Sequence, residues 1–235
     1  MVFDSQLDAH FVNLLESKFK ETTFARVDSD HIDKLIQKEE VSKPNLSQDE
    51  ITDISNLFEA ALPSGSHYNF AIENLEEKDG ALLITQSEFM RRYREMSAMN
   101  GGMNFYGSLP ESYTITVNYK HPLISRILDN KKESLSSQLE ELDNKIAGPK
   151  TQLETINQQT KDLKPEEIET SVKDNKSNLE ETIEKIKGER KDLLNKFGKE
   201  NDLVREITDL ALLSNGMLKG EELSKFIKRS LDLIK

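Results

Sequence analysis

What this sequence lacks narrows it first. There is no cysteine, which rules out disulfides, thiolate nucleophiles and cysteine-based metal sites. Positive charge is in deficit: 32 lysines and arginines stand against 43 aspartates and glutamates, for a net charge of −11. A nucleic-acid footprint needs a clustered basic face, and anionic membranes attract basic segments. Neither nucleic acid nor membrane is therefore expected as a partner. No apolar run approaches the roughly 20 residues of a membrane span. The opening MVFDSQLDAH has no basic stretch followed by an apolar core, so no signal peptide is expected and the cytoplasm is the simplest compartment. Hydrophobic residues are lean at 35% and charged residues reach 32%, a balance that suits long solvated helices.

A catalytic constellation is also missing. The histidines His10, His31, His67 and His121 do not lie at metal-ligand spacing from one another. The cluster Asp28, Asp30, His31 and Asp33 lacks the glycine and distal glutamate of a calcium loop, and acids at a helix start favour the helix dipole. Gly101, Gly102 and Gly107 do not form a phosphate loop, because no GxxxxGK follows and the next segment reads as a strand. No catalytic, cofactor-binding or metal-binding residue is expected, and the chain is not read as an enzyme.

What is present reads as α+β. The first 30 residues suggest strand, helix, strand, with Leu7, Phe11 and Leu14 or Leu15 at helical spacing. The unit is too short to bury its own core, so we read it as the tail of a preceding domain. A helix is expected from about Ser29 or Asp30, followed by a linker at Pro44 and Asn45. LSQDEITDISNLFEAALP reads as a helix with Ser47 and Glu50 as a capping box, an apolar face of Ile51, Ile54, Leu57, Phe58 and Leu62, and a stop at Pro63. YNFAIENL and ALLIT read as strands around a polar turn from Glu76 to Gly80. SYTITVNY alternates with period two and is the clearest strand. His121-Pro122 opens a helix at LISRIL.

The segment TQSEFMRRYREMSAMNGGMNFYG holds four of the six methionines, Met90, Met96, Met99 and Met103. It reads as a helix stopped at Asn100-Gly101-Gly102. Phe89, Tyr93, Met96 and Met99 fall along one stripe, Met90 lies off it, and Arg92 intrudes. A core face would favour leucine, isoleucine and valine. Methionine is unbranched and polarizable and recurs on surfaces that fit many partners. The segment is therefore read as a partly exposed, adaptable contact surface.

From about residue 131 to 200 aromatics vanish until Phe197. Leu135, Leu139, Leu142, Ile146, Pro149, Leu153, Ile156, Thr160 and Leu163 step by four and three, as in a heptad seam. Gly148-Pro149 is expected to kink or interrupt it. Pro165 suits the first turn of a returning helix carrying Ile168, Val172, Leu179, Ile183, Ile186, Leu193 or Leu194, and Phe197. An antiparallel coiled-coil hairpin projecting as an arm fits both halves. At the end, NDLVREITDLALLSNG reads as a helix with Leu203, Ile207, Leu210 and Leu213 or Ala211 inward, closed by Asn215-Gly216. GEELSKFIKRSLDLIK reads as another, with Leu223, Phe226, Ile227, Leu231 and Ile234 on one face and Lys225, Lys228 and Arg229 on the other. Two short helices with this much apolar face suit a symmetric dimer that pools them in a four-helix bundle.

FARVDSDHIDKL, DGALLITQSEFMRRYREM, SLPESYTITVNYKHPLISRIL and ITDLALLSNGMLKGEELSKFIKRSLDLI together resemble the C-terminal part of the heat-shock protein 90 family in its bacterial form. The resemblance covers the chain except about 131–200, which looks like an insertion. It implies the end of a middle domain at 1–40, the α+β part of a C-terminal domain at 41–130, a coiled-coil insertion at 131–200, and dimerisation helices at 201–235. It also implies an ATP-dependent dimeric chaperone whose ATP and magnesium bind in an N-terminal domain outside these residues. By the same resemblance the homodimer interface is Leu203, Ile207, Leu210, Leu213, Met217, Leu218, Phe226, Ile227, Leu231 and Ile234. Unfolded client proteins would meet Phe89, Met90, Tyr93, Met96 and Met99, with His10 and Asn13 on a neighbouring patch. Many bacterial relatives carry tryptophan where this chain has His10. The competing reading is a structural coiled-coil adaptor whose arm binds a partner protein.

Overall fold

The computed structural model describes residues 8–19, 21, 22, 24, 43–86, 112–161 and 169–234. They comprise six helices and a three-stranded sheet: α1 (Asp8–Lys18), α2 (Gln48–Glu59), β1 (His67–Glu73), β2 (Leu82–Thr85), β3 (Ser112–Asn118), α3 (Pro122–Thr160), α4 (Thr170–Glu200), α5 (Asp202–Ser214) and α6 (Gly220–Ile234). The α+β class read from the sequence holds. The acidic cluster around His31 and the methionine-rich segment lie outside the described residues.

The chain divides into two compact units. One contains the sheet, α1 and the C-terminal residues from Glu206. The other contains 47–61 and 125–205, so α2 belongs with the long helices.

In the first unit the strand order is β1-β3-β2, with β1 parallel and β2 antiparallel to β3. The two strands flanking the polar turn are therefore not partners of each other; β3 lies between them. Asn118, fully buried at the end of β3, explains how the turn is held. Its Nδ2 donates to the Glu76 carbonyl at 2.9 Å and its Oδ1 accepts from the Leu75 N–H at 3.2 Å. Inside the turn the Asp79 carboxylate accepts from the Glu76 N–H at 3.1 Å. Ile115, Thr116, Val117 and Asn118 of β3 are all fully buried; successive side chains point to opposite faces, so this end of the central strand is covered on both. Tyr68 and Tyr113 stand opposite each other in the parallel register and stack with ring centres 6.0 Å apart.

In the second unit α2 starts with the expected capping box. The Ser47 Oγ accepts from the Glu50 N–H at 3.2 Å, and the Glu50 carboxylate accepts from the Ser47 N–H at 2.8 Å. This satisfies two donors that a helix start otherwise leaves open. The two Ser47 groups hold the Glu50 carboxyl below the usual range, the backbone bond first. The helix ends at Glu59 with Ala60 as its cap, before Pro63.

Pro149 does not interrupt the next element: α3 runs 39 residues through it. Proline removes one backbone donor, but the ladder continues on either side, and Gly148 has open space where a side chain would stand. The returning helix starts at Thr170, with extended Glu169 before it, five residues beyond Pro165. Burial grades along both long helices. Leu135, Leu139 and Leu142 of α3 and Ile183, Ile186 and Leu194 of α4 are buried. Ile146, Leu153, Ile156, Val172 and Leu179, nearer the connecting residues, are only half-buried.

Candidate protein–protein interface on the terminal helix pair

The first of the last two helices is closed by a turn that depends on a glycine. Gly216 has φ of +64°, the left-handed region that favours glycine. Its N–H donates to the Leu213 carbonyl, and the Met217 N–H to that of Leu212, both at 2.9 Å. This is the Schellman closure expected of Asn215-Gly216.

Beyond the turn, the inward faces differ from the sequence expectation. On α5, Val204, Ile207, Thr208, Ala211 and Leu212 are buried, whereas Leu210 and Leu213 are 46% and 40% exposed. On α6, Phe226 is buried but Ile227 and Leu231 are 50% and 57% exposed. Arg229, assigned to the solvated face from sequence, turns toward α5. Its Nε donates to Glu206 at 3.0 Å, its Nη2 donates to Asp209, and the Ser230 hydroxyl donates to the second Glu206 oxygen. Burial works against the Arg229 charge, and the bonds to Asp209 and Glu206 outweigh it, raising its pKa. The sequence pattern put Arg229 on the solvated face because apolar periodicity does not show that a polar side chain at an inward position can be satisfied by carboxylates on another helix.

Of the other expected interface residues, Leu218 is buried and Leu203 and Met217 are half-buried. Ile234 ends α6, where the backbone alone is described. Among the expected client-contact residues, Phe89, Met90, Tyr93, Met96 and Met99 lie outside the described residues. His10 is on α1 with only its backbone described, and Asn13 is half-buried on the same helix. Phe11 and Leu14 of α1 are exposed as well.

A second polar constellation, absent from the sequence expectations, lies in the unit of α2. Asp53 is 3% exposed. Its two carboxylate oxygens accept from Arg190 Nε and Nη2 at 2.7 and 2.8 Å, and Lys131 Nζ adds a third bond at 3.3 Å. Arg190 also donates through Nη1 to Asp143 at 2.5 Å. The Asp53 hydrogen bonds are the chief reason the Arg190 pKa is raised. The signal was available: Leu179, Ile183, Ile186, Arg190, Leu193 and Phe197 step by four, three, four, three and four. An arginine in that seam needs a buried carboxylate.

Among the described residues no group of histidines and acids could hold a metal ion. No described helix is long and apolar enough to cross a membrane. On the terminal helix pair the charged bonds of Arg229 join two helices that leave Leu210, Leu213, Ile227 and Leu231 exposed.

Comparison with known proteins agrees with the family resemblance. No protein-family model matches the chain, and no solved structure matches it. Over its whole length the chain is 45% identical to a protein named Chaperone protein HtpG from Porphyromonas gingivalis. Proteins of the same name from Bacteroides thetaiotaomicron and Bacteroides fragilis are 34% and 33% identical over the whole chain. These matches include residues 131–200. The chain spans 34–35% of the length of these relatives. It is a homologue of the HtpG chaperones, the bacterial form of heat-shock protein 90, over about a third of their length.

Proposed function

We infer that this chain is the dimerisation and client-contact module of an HtpG-type chaperone. The observation that carries the reading is the set of four large apolar side chains, Leu210, Leu213, Ile227 and Leu231, left exposed on the terminal helix pair. Burying such side chains is favourable by roughly 25 cal/mol per Å² of apolar surface, and a symmetric pairing covers the same patch on both copies. Because the relatives are about three times longer, ATP binding and hydrolysis, with magnesium, are assigned to another part of the protein. The methionine-rich segment, with Phe89, Met90, Tyr93, Met96 and Met99, and the α1 patch with His10 and Asn13 are assigned to clients. The cytoplasm is the assigned compartment.

Sedimentation at micromolar concentration tests the dimer. The wild type should be dimeric, and Ile227→Asp with Leu231→Asp should be monomeric with its helix content retained, because each aspartate would place an unpaired charge in an apolar contact. A monomeric wild type would overturn the reading. Phe226 is unsuitable as a test position, since it is buried within the chain. For the client surface, Tyr93→Ser with Met96→Ser should weaken binding of an unfolded protein at unchanged melting temperature. A large drop in melting temperature would instead assign those side chains to the core.

A further inference from the structure

The Arg229 cluster differs from the other ion pairs of α6. Lys225 bonds Glu221 and Glu222 within its own helix, and all three side chains are at least half exposed. Such pairs contribute little. Arg229 instead crosses to a second helix, and it, Glu206 and Asp209 are each under 20% exposed. Its guanidinium also lies 5.9 Å from the centre of the Phe226 ring.

A planar fork engaging two carboxylates on consecutive turns of α5 restricts both the distance and the rotation of α6, which a single ammonium cannot do. The rotation matters because of where the exposed residues sit. Ile227 and Leu231 lie two residues to either side of Arg229. Two residues correspond to about 200° around a helix of 3.6 residues per turn. Turning Arg229 toward α5 therefore turns Ile227 and Leu231 away from it. On α5, Leu210 directly follows Asp209, and Leu213 stands one turn beyond Asp209.

We propose that Arg229 is the positioning residue of this face: by fixing the rotation of α6 on α5, it presents Ile227 and Leu231 to a second copy of the chain. The proposal rests on the dimer reading above and adds a residue that acts through the packing of α6 on α5.

The test is a double-mutant cycle read by sedimentation equilibrium on the full chain, using wild type, Arg229→Met, Leu231→Ala and the double variant. Methionine keeps an apolar stem against Phe226 and removes the fork. Arg229→Met should weaken dimerisation by about tenfold or more while circular dichroism shows the helix content retained. Leu231→Ala should then cost less in the Arg229→Met background than in the wild type, because Leu231 is no longer held outward. A role confined to stability would leave the two effects additive. Arg229→Lys should recover part of the lost affinity, and if Arg229→Met loses helix, Arg229→Lys carries the same cycle. Unchanged dimerisation in the folded Arg229 variant, or full additivity, overturns the proposal while leaving the dimer reading intact. A monomeric wild type defeats the dimer reading first.

Discussion

Taking away the Asp53 carboxylate would leave Arg190 and Lys131 without their buried counter-charge. Breaking such a pair on one side costs about 3–5 kcal/mol. The Arg190 and Lys131 side chains are 22% and 17% exposed, so both cations can partly reach water and the lower end applies. Asp53→Ala should therefore destabilise the chain by about 3 kcal/mol in a denaturant titration, and an effect below the level of a surface substitution would contradict the structure. Gly198 gives a steric counterpart. A Cβ there would stand 2.0 Å from the Leu57 carbonyl oxygen, which is rigid backbone. Gly198→Ala must push α2 off α4, and a loss of about 1–3 kcal/mol is expected from overpacking of this kind.

At the scale of elements, the capping box of α2 makes stability depend on pH. The Glu50 carboxyl is held below its ordinary range in the folded chain. A depressed carboxyl contributes stability above its unfolded value and loses it as pH falls through the folded value. The stability gap between wild type and Glu50→Ala should thus be present at neutral pH and close under acid conditions; a gap independent of pH would exclude the bond as its source. The long helices α3 and α4 offer a second test. Removing all of 131–200 would take Lys131, Asp143 and Arg190 from Asp53. A shorter deletion confined to the half-buried ends of α3 and α4 should leave the Asp53 cluster and the dimer intact, and loss of the dimer in that variant would favour the adaptor reading. The capping box, the Schellman turn and all three strands could be read in advance because each depends on residues a few positions apart. The strand order and the home of α2 could not. Asp53 and Arg190 are 137 residues apart, and periodicity reveals which face is apolar without revealing what meets it. The same limit explains Leu210 and Leu213, whose spacing suits an inward face as well as an outward one.

For the whole molecule, the net charge of −11 sets the salt dependence of self-association. Two copies repel each other, and the Debye length shrinks from about 30 Å at 0.01 M salt to about 8 Å at 0.15 M. If the interface is the apolar face of α5 and α6, raising salt over this range should strengthen the dimer in sedimentation equilibrium. Weakening would mean that charged pairs between copies hold it together. The homologues from Porphyromonas and Bacteroides match this chain through 131–200 as well, so the sequence of the long helices has a counterpart in these relatives.

The unit made of 47–61 and 125–205 also has a consequence in time. A ribosome adding about 5–20 residues per second needs roughly 7–27 s to travel from Asp53 to Arg190. Throughout that interval the nascent α2 has its cap, which is local, but neither Arg190 nor the packing against α4. Slow or paused translation between the two would lengthen the exposure of Ile54, Leu57 and Phe58, which are buried in the finished chain, and so leave this apolar face open to misassociation until α4 is made.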